Sequence, residues 1–515
     1  MKKIFCFVLI FLVCATVSSY ADKWQAVGAR AMGMGGAGVA IAYGTDAQYY
    51  NPALLATNSD FESDISLNVN AELETTDKVL TLIDKVNQMV NKYKDVAEKI
   101  STNDYASAPE MISIVDALIA LQELNLKNIG ATAGVNAGLA SRLGNLTISV
   151  RSFGSSGVIP IIDKRNIGLV SSTGGLEIND FDSPDTEEKQ DAANIIRDTL
   201  DKFDLTDSVA NLFNLSGITS QELANAIVNM TDAAHSTVEE IKQMADTIAE
   251  EFPKAEILLK DLLSGSYKDN ESQVLVDVGV FTEVSAGCGF QIMEGLQVGG
   301  NIKYIQGQMG QAGIMILKDS QKIAGAEGDA FKDTKATNQI GFDLGAFMDI
   351  SKFVGSDILF NPRFGITARN INNPGFERPK KAVDSELKWI GDKYYLGSQL
   401  RAGLAINPFK NLTLACDLDL MKNKTFVKGF DSQELSLGIE FLLLDTKAIA
   451  LPIRAGILKN VTESKSDIEY TIGTGIYTFG LRFEFAAGMS SNTTVLDGNT
   501  VPASASAAFT LSYVY

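Results

Sequence analysis

The chain has 515 residues, 45% of them hydrophobic, with 44 glycines and a formal charge of −19. Such a length and apolar content can fill a large core or close a large barrel, and they exclude a disordered chain. The acidic balance argues against nucleic acid as a partner and against a polybasic surface for anionic lipids.

At the start, Lys2 and Lys3 precede the apolar run Ile4–Val13 and the small-x-small site Ser19-Tyr20-Ala21, which reads as a secretory signal peptide over residues 1–21. Losing its two lysines takes the charge from −19 to −21 and leaves Asp22 first. Cys14 does not read as a lipid-attachment site, because Val13 stands where that signal needs Gly, Ala or Ser. Beyond the leader there is no run of about 18 apolar residues, so helical membrane spans are not expected.

The stretch GMGGAG, Gly33 to Gly38, has the glycine spacing of a dinucleotide-binding turn. That turn works only between a strand and a helix N-terminus. No strand runs into this one, and an exported protein rarely meets NAD, so the glycines need another purpose. Asn51 before Pro52 reads as a turn, the amide bonding its own backbone and Pro fixing φ.

From Phe61 onward, alternation dominates. Between Val274 and Phe290 the even positions are Val, Thr, Ala, Cys or Phe, and the odd ones carry Asp277, Gly279, Glu283, Ser285, Gly287 and Gly289, with Leu275 and Phe281 as exceptions. A strand of that length exceeds the ~5–6 residues of ordinary strands and suits a tilted membrane strand. Similar segments are Phe61–Ala71, Asn128–Arg142, Leu146–Phe153, Leu296–Gln308, Gln339–Ile350, Ile358–Asn370, Tyr394–Ile406, Leu412–Leu420, Glu434–Leu443, Ile449–Leu458, Ile468–Gly475, Leu481–Met489 and Ala503–Tyr515. They predict an all-β transmembrane barrel of about 14 antiparallel strands, grease outside and polar residues inside. The aromatic terminus, Phe509 to Tyr515, suits recognition by the barrel insertion machinery.

Two stretches follow a helical period. Val79, Leu82, Ile83, Val86, Met89, Val90 and Tyr93 form one stripe, and Pro109 opens a second helix through Leu118, Leu121 and Gln122. Later, Thr219 with Glu222 and Ser236 with Glu239 predict capping boxes ahead of further apolar stripes. The domain reading is therefore a leader over 1–21, an N-terminal segment over 22–60, and a barrel over 61–515 with α-helical loop insertions at 75–126 and 184–265.

Alternation points Arg151, Lys303, Arg363, Arg369, Arg401, Arg454 and Arg482 into the lumen with Asp277, Glu283, Asp343, Asp349, Asp417, Asp419, Glu440 and Glu484. Mixed charges there pair and stiffen a barrel. Asp417 and Asp419 share a face, but nothing suggests a general acid and base, so no catalytic residue and no enzyme is expected. The lone His235 reads as a solvated helix residue, and the absence of a Cys/His cluster leaves no metal site and no cofactor to expect. Cys6 and Cys14 leave with the signal, and Cys288 and Cys416 lie on apolar faces.

Taken whole, GARAMGMGGAGVAIAYGTDAQYYNPALLA resembles the N-terminal signature of the FadL-like outer-membrane barrels. The segments GITARNINNPGF, LTLACDLDLMKN and LPIRAGILKN resemble its branch of TraF-type conjugal transfer proteins. The resemblance implies an N-terminal hatch inside the barrel, carried by Gly33, Gly35, Gly36, Gly38, Asp46, Ala47, Asn51, Pro52 and Ala53. It also implies the outer membrane of a diderm bacterium and passage of small hydrophobic molecules, with membrane lipid as the surrounding partner. The rival reading is a non-transporting scaffold or surface protein in conjugation, secretion or adhesion. Short and long connections alternate along the chain, and barrels keep short turns periplasmic. Both helical insertions are therefore expected outside the cell.

Overall fold

The computed structural model describes residues 23–56, 63–75, 79–101, 105–125, 129–169, 181–261, 265–316, 334–379, 392–427, 429–446, 448–463, 466–496 and 499–515. The expected leader lies outside these residues, as do the side chains of Ile83, Val86 and Val90.

Fourteen antiparallel strands close into one barrel. They are β1 Ser63–Thr75, β2 Ala131–Leu143, β3 Leu146–Ile161, β4 Gln273–Met293, β5 Leu296–Met315, β6 Thr337–Asp349, β7 Arg363–Arg369, β8 Gln399–Phe409, β9 Leu412–Asp419, β10 Glu434–Asp445, β11 Ile449–Asn460, β12 Ile468–Thr478, β13 Leu481–Ser490 and β14 Ser504–Val514. Each pairs with its neighbour in sequence, and β1 closes the ring on β14, from Asp64 opposite Val514 to Glu74 opposite Ser504. Closure leaves no unpaired edge, which a backbone in hydrocarbon requires. The period of two then sorts the side chains: Ile148, Val284, Ile302, Leu404, Ile472 and Phe485 are exposed on the outer face, while Arg401, Asp417, Asp343 and Lys303 are buried inside. Among the described residues no helix is long and apolar enough to cross a membrane.

Strand positions follow the alternation, with three departures. β3 and β5 run past Phe153 and Gln308 because both stay paired to the 21-residue β4. β7 starts at Arg363 rather than near Ile358, since a one-turn helix, Ile350–Val354, and left-handed Phe360 and Asn361 take up that chain. Tyr394 lies outside β8, in a hairpin of Gly375–Glu377 with Lys393–Tyr395. The turn at left-handed Asn370 and Asn373, whose Asn373 side chain accepts from the Ser398 amide at 2.7 Å, folds that hairpin inward.

Short connections join β2 to β3, β4 to β5, β8 to β9, β10 to β11 and β12 to β13, so one rim carries tight turns and the other the long excursions. On the long-loop rim stand α3 Val79–Ser101, α4 Ala108–Leu124, α5 Glu187–Phe203, α6 Thr206–Leu212, α7 Ser220–Ala233, α8 Val238–Glu251 and α9 Glu256–Lys260, counted after α1 Ala29–Gly33 and α2 Ala47–Tyr50 of the N-terminal segment. Their stripes share one core, with Tyr93, Leu118, Ile196, Leu223 and Met244 buried, and it seats on the rim through Ala131, Ile162 and Ile316. Thr219 and Glu222 cap α7 as the spacing predicts. For α8 the box is Thr237 with Glu240, one residue later than expected. Ser236 is occupied elsewhere: its hydroxyl accepts the Ala108 amide at the start of α4, 2.9 Å away. His235 is exposed, but in a left-handed turn after α7 rather than in a helix.

Candidate functional site: the hatch and the lumen

Residues 23–56 fill the barrel interior, and Val27, Ala29, Met34, Ala37, Tyr50 and Leu55 are all nearly inaccessible. A chain packed that tightly against a sheet must come close to its backbone, and the glycine stretch allows this. A methyl group at Gly33 would lie 2.9 Å from the Cα of Gly473 in β12, and one at Gly35 would lie 2.5 Å from the carbonyl oxygen of Ile457 in β11. Gly35 and Gly36 also have φ of 68° and 89°, the left-handed region that suits glycine. At Gly38 the space is taken by the ring of Tyr50. The stretch that looked like a phosphate turn is a seam between hatch and wall.

Hydrogen bonds from wall side chains complete the seat, since buried amides need partners. Asp417 accepts from the amides of Gly38 and Val39 at 2.7 and 2.9 Å. The Gly35 amide donates to Thr471 at 3.0 Å, Ala29 to Thr510 at 2.9 Å, and Thr45 to Asp64 at 2.9 Å. Asp46 accepts from Asn68 at 2.9 Å. Asn51 does two things: its oxygen accepts the Ala53 amide at 3.1 Å, the local turn, and its amide donates to Val39 and, at 2.9 Å, to the Ala346 carbonyl in β6. Pro52 and Ala53 pass close to Gly299 and Gly345 in β5 and β6. Arg151 reaches the Gln48 side chain at 3.1 Å.

Most lumen charges are satisfied by the wall itself. Arg401 pairs with Asp419 and, at 2.8 Å, with Glu434. Arg454 pairs with Glu440 at 2.6 Å and Glu484 at 2.8 Å, and Lys303 with Asp343 at 3.0 Å and Glu283 at 3.4 Å. Arg363 donates to Asn407 at 2.7 Å. From the hatch, Arg30 joins Glu440 at 2.7 Å and Lys23 joins Glu74 at 2.9 Å. Asp417 and Asp419 thus have different jobs, one holding hatch amides and the other an arginine.

Two aromatic layers escape the alternation argument. Arg369 lies over Tyr49, 3.9 Å from the ring centroid, with Trp24 at 5.1 Å and Phe153 at 5.9 Å, while Arg401 stacks on Trp24 at 4.6 Å. Towards the long-loop rim, Phe281, Phe376, Tyr394 and Phe426 form a cluster with Ile305, Met309 and Leu396. Tyr394 stacks on Phe426 at 4.6 Å and on Phe281 at 5.7 Å. Phe376 and Phe426 come from separate loops folded into the mouth. The signal for this layer was Phe281, an aromatic on the polar face of its strand. A cavity of about 40 Å³ separates it from the hatch, between Phe281 and Leu396 above and Gln25 and Tyr49 below. Among the described residues, no His, Cys, Asp or Glu group is placed to hold a metal ion.

A family model for the F plasmid transfer operon TraF protein matches residues 48–419, well over half the chain. Among solved structures the chain is similar to the CymD monoaromatic hydrocarbon channel, with 12% identity, a TM-score of 0.41, and 96% of this chain and 98% of that one covered. It is similar to the Ralstonia pickettii toluene transporter TbuX, with 10% identity, a TM-score of 0.42, and 95% and 99% covered. It is also similar to the Pseudomonas putida toluene transporter TodX, with 9% identity, a TM-score of 0.39, and 96% and 99% covered. No curated protein matches the sequence.

Proposed function

The chain belongs to the family of F plasmid transfer operon TraF proteins, and from that premise we propose that it is a channel in the outer membrane of a diderm bacterium for passive uptake of small hydrophobic molecules, gated by its N-terminal hatch. The observation that carries the reading is the layering of the lumen. An aromatic layer at the mouth, Phe281, Phe376, Tyr394 and Phe426, sits above a hatch seated by glycine contacts and single hydrogen bonds. The mouth layer offers an apolar solute burial and ring stacking. The hatch blocks the way to the opposite rim until it shifts. The residues assigned to gating are Gly33, Gly35, Gly36, Gly38, Asp46, Asn51, Pro52 and Ala53; Arg151, Arg363, Arg369, Arg401, Arg454, Asp417 and Asp419 shape the lumen. No catalytic group takes part.

The test is transport in liposomes of labelled aromatic hydrocarbons and fatty acids, comparing the intact protein with one lacking residues 22–56. Uptake that is slow with the hatch and fast without it is the expected result. No uptake of either class in either form would leave the scaffold reading. One observation favours that second reading: the helical cap has a core of its own, joined to the rim and separate from the aromatic layers of the lumen.

A further inference from the structure

The outer wall is indented across β8–β12, where a groove of about 740 Å³ is lined by residues including Leu404, Cys416, Leu437, Ile439, Ala455 and Ile472. Side-chain composition does not explain the hollow. Ala455 stands between Ile439 and Ile472 of the flanking strands. Ala286 stands between Ile148 and Ile302 in the same way. Only the first of these two triads lines the groove.

The difference is behind the wall. Gly438 and Gly456, next in sequence to Leu437, Ile439 and Ala455, touch the hatch at Met34 and Gly35 too closely for any Cβ. Behind Ala286, the side chains of Asn301 and Gln48 fill the space at Gly287. At Gly438 and Gly456 the sheet lies directly against the hatch, and the outer face over them is hollow.

We propose that this groove binds one acyl chain of a membrane phospholipid. It is continuous with the exposed apolar face of the barrel, where Leu404 and Ile472 are 56% and 69% exposed, so hydrocarbon is the medium that meets it. No charged side chain lines it. Its volume falls within the ~300–1,000 Å³ of sites that enclose small ligands. An unfilled hollow would forfeit dispersion contacts along its lining. A flexible chain can follow the hollow and restore them. The site stands whether or not the barrel transports anything.

Native mass spectrometry of the protein extracted from membranes in mild detergent tests this. The wild type is expected to keep one phospholipid mass. Ala455→Phe and, as a second filling variant, Cys416→Trp should lower that adduct about tenfold, equivalent to ~1.4 kcal/mol. Ala286→Phe, with the same isoleucine neighbours but outside the groove, should keep it. Heat-modifiable gel mobility confirms that each variant is folded. Retention of the lipid by both filling variants, equal loss in Ala286→Phe, or a wild type that carries no adduct, a free fatty acid or a second copy of the chain instead would overturn the assignment.

Discussion

Replacing Gly35 by alanine perturbs the hatch at one point and leaves the barrel wall chemically unchanged. Two penalties add. Alanine at φ 68° pays the left-handed strain of ~1–2 kcal/mol. Its methyl, 2.5 Å from the Ile457 carbonyl oxygen, forces one backbone away from another, an overpacking of ~1–3 kcal/mol. The seated hatch should therefore lose ~2–5 kcal/mol, and the ratio of seated to unseated should fall roughly 30-fold to several-thousand-fold. Single-channel conductance in planar bilayers should show frequent openings in the variant and rare ones in the wild type. Gly144→Ala is the control, because Gly144 has φ 61° in the β2–β3 turn with nothing within 4 Å of the added methyl. It shares the strain but not the collision. If Gly35→Ala stays as closed as Gly144→Ala while both keep heat-modifiable mobility, the glycine seam does not hold the hatch.

Asp417→Asn keeps an acceptor but removes the charge facing the Gly38 and Val39 amides, and should weaken hatch seating by about 1–2 kcal/mol, visible as faster protease nicking within residues 33–39. Cys288 and Cys416, both half-buried on the apolar face, should resist a charged thiol reagent in intact membranes; rapid labelling of either would invert that strand. In the cap, burial raises the Glu110 carboxyl, but hydrogen bonds from Lys99 and Ser107 more than offset it and leave it below its ordinary value. A depressed carboxyl stabilises the fold above its unfolded value and loses that contribution as pH falls through the folded one. Protection factors of the α4 amides, corrected for the intrinsic exchange rate, should accordingly fall below about pH 4.3, and Glu110→Gln should remove that pH dependence. Single cysteines at Asp95 and Glu240 should react with an impermeant maleimide on intact cells while one at Asn145 in the β2–β3 turn does not, because tight turns face the periplasm; the reverse pattern would put the cap inside.

The barrel was legible because a period of two, repeated fourteen times, reports directly on which face meets hydrocarbon. Arg401, Asp419 and Lys303 were found inside by that rule alone. It failed where tertiary contacts replace lipid as the partner of an apolar side chain. Tyr394 and Leu396 continue the pattern of β8 in sequence, yet both turn inward to Phe281 and Phe426, and alternation cannot say which apolar surface a side chain will meet. The extra length of β3 and β5 was hidden for a related reason: above the expected ends the strands border the cap, and Val158 of β3 and Val274 of β4, to which both are paired, pack against its core. The Ser236 box shifted by one because two helix starts compete for one hydroxyl, and the second start lies 128 residues away.

The distribution of charge partners bears on whether the hatch can move at all. A buried charge stripped of its partner is destabilising by several kcal/mol. If the hatch supplied the counter-charges of the lumen, opening would leave a row of unpaired arginines. Instead Arg401, Arg454 and Lys303 find carboxylates on adjacent strands. The ionic links of the hatch run through Lys23 to Glu72, Glu74 and Glu434 and through Arg30 to Glu440; Glu434 keeps Arg401, and Glu440 keeps Arg454, when these leave. Across residues 33–39 its anchors to wall side chains are backbone amides, which water can satisfy once the seam opens. Displacement of residues 33–39 alone thus exposes Asp417 and Thr471 to water and breaks no ion pair of the wall. Arg401, Arg454 and Lys303 thus keep carboxylate partners in the wall if the plug shifts, a condition that the proposed gate has to meet.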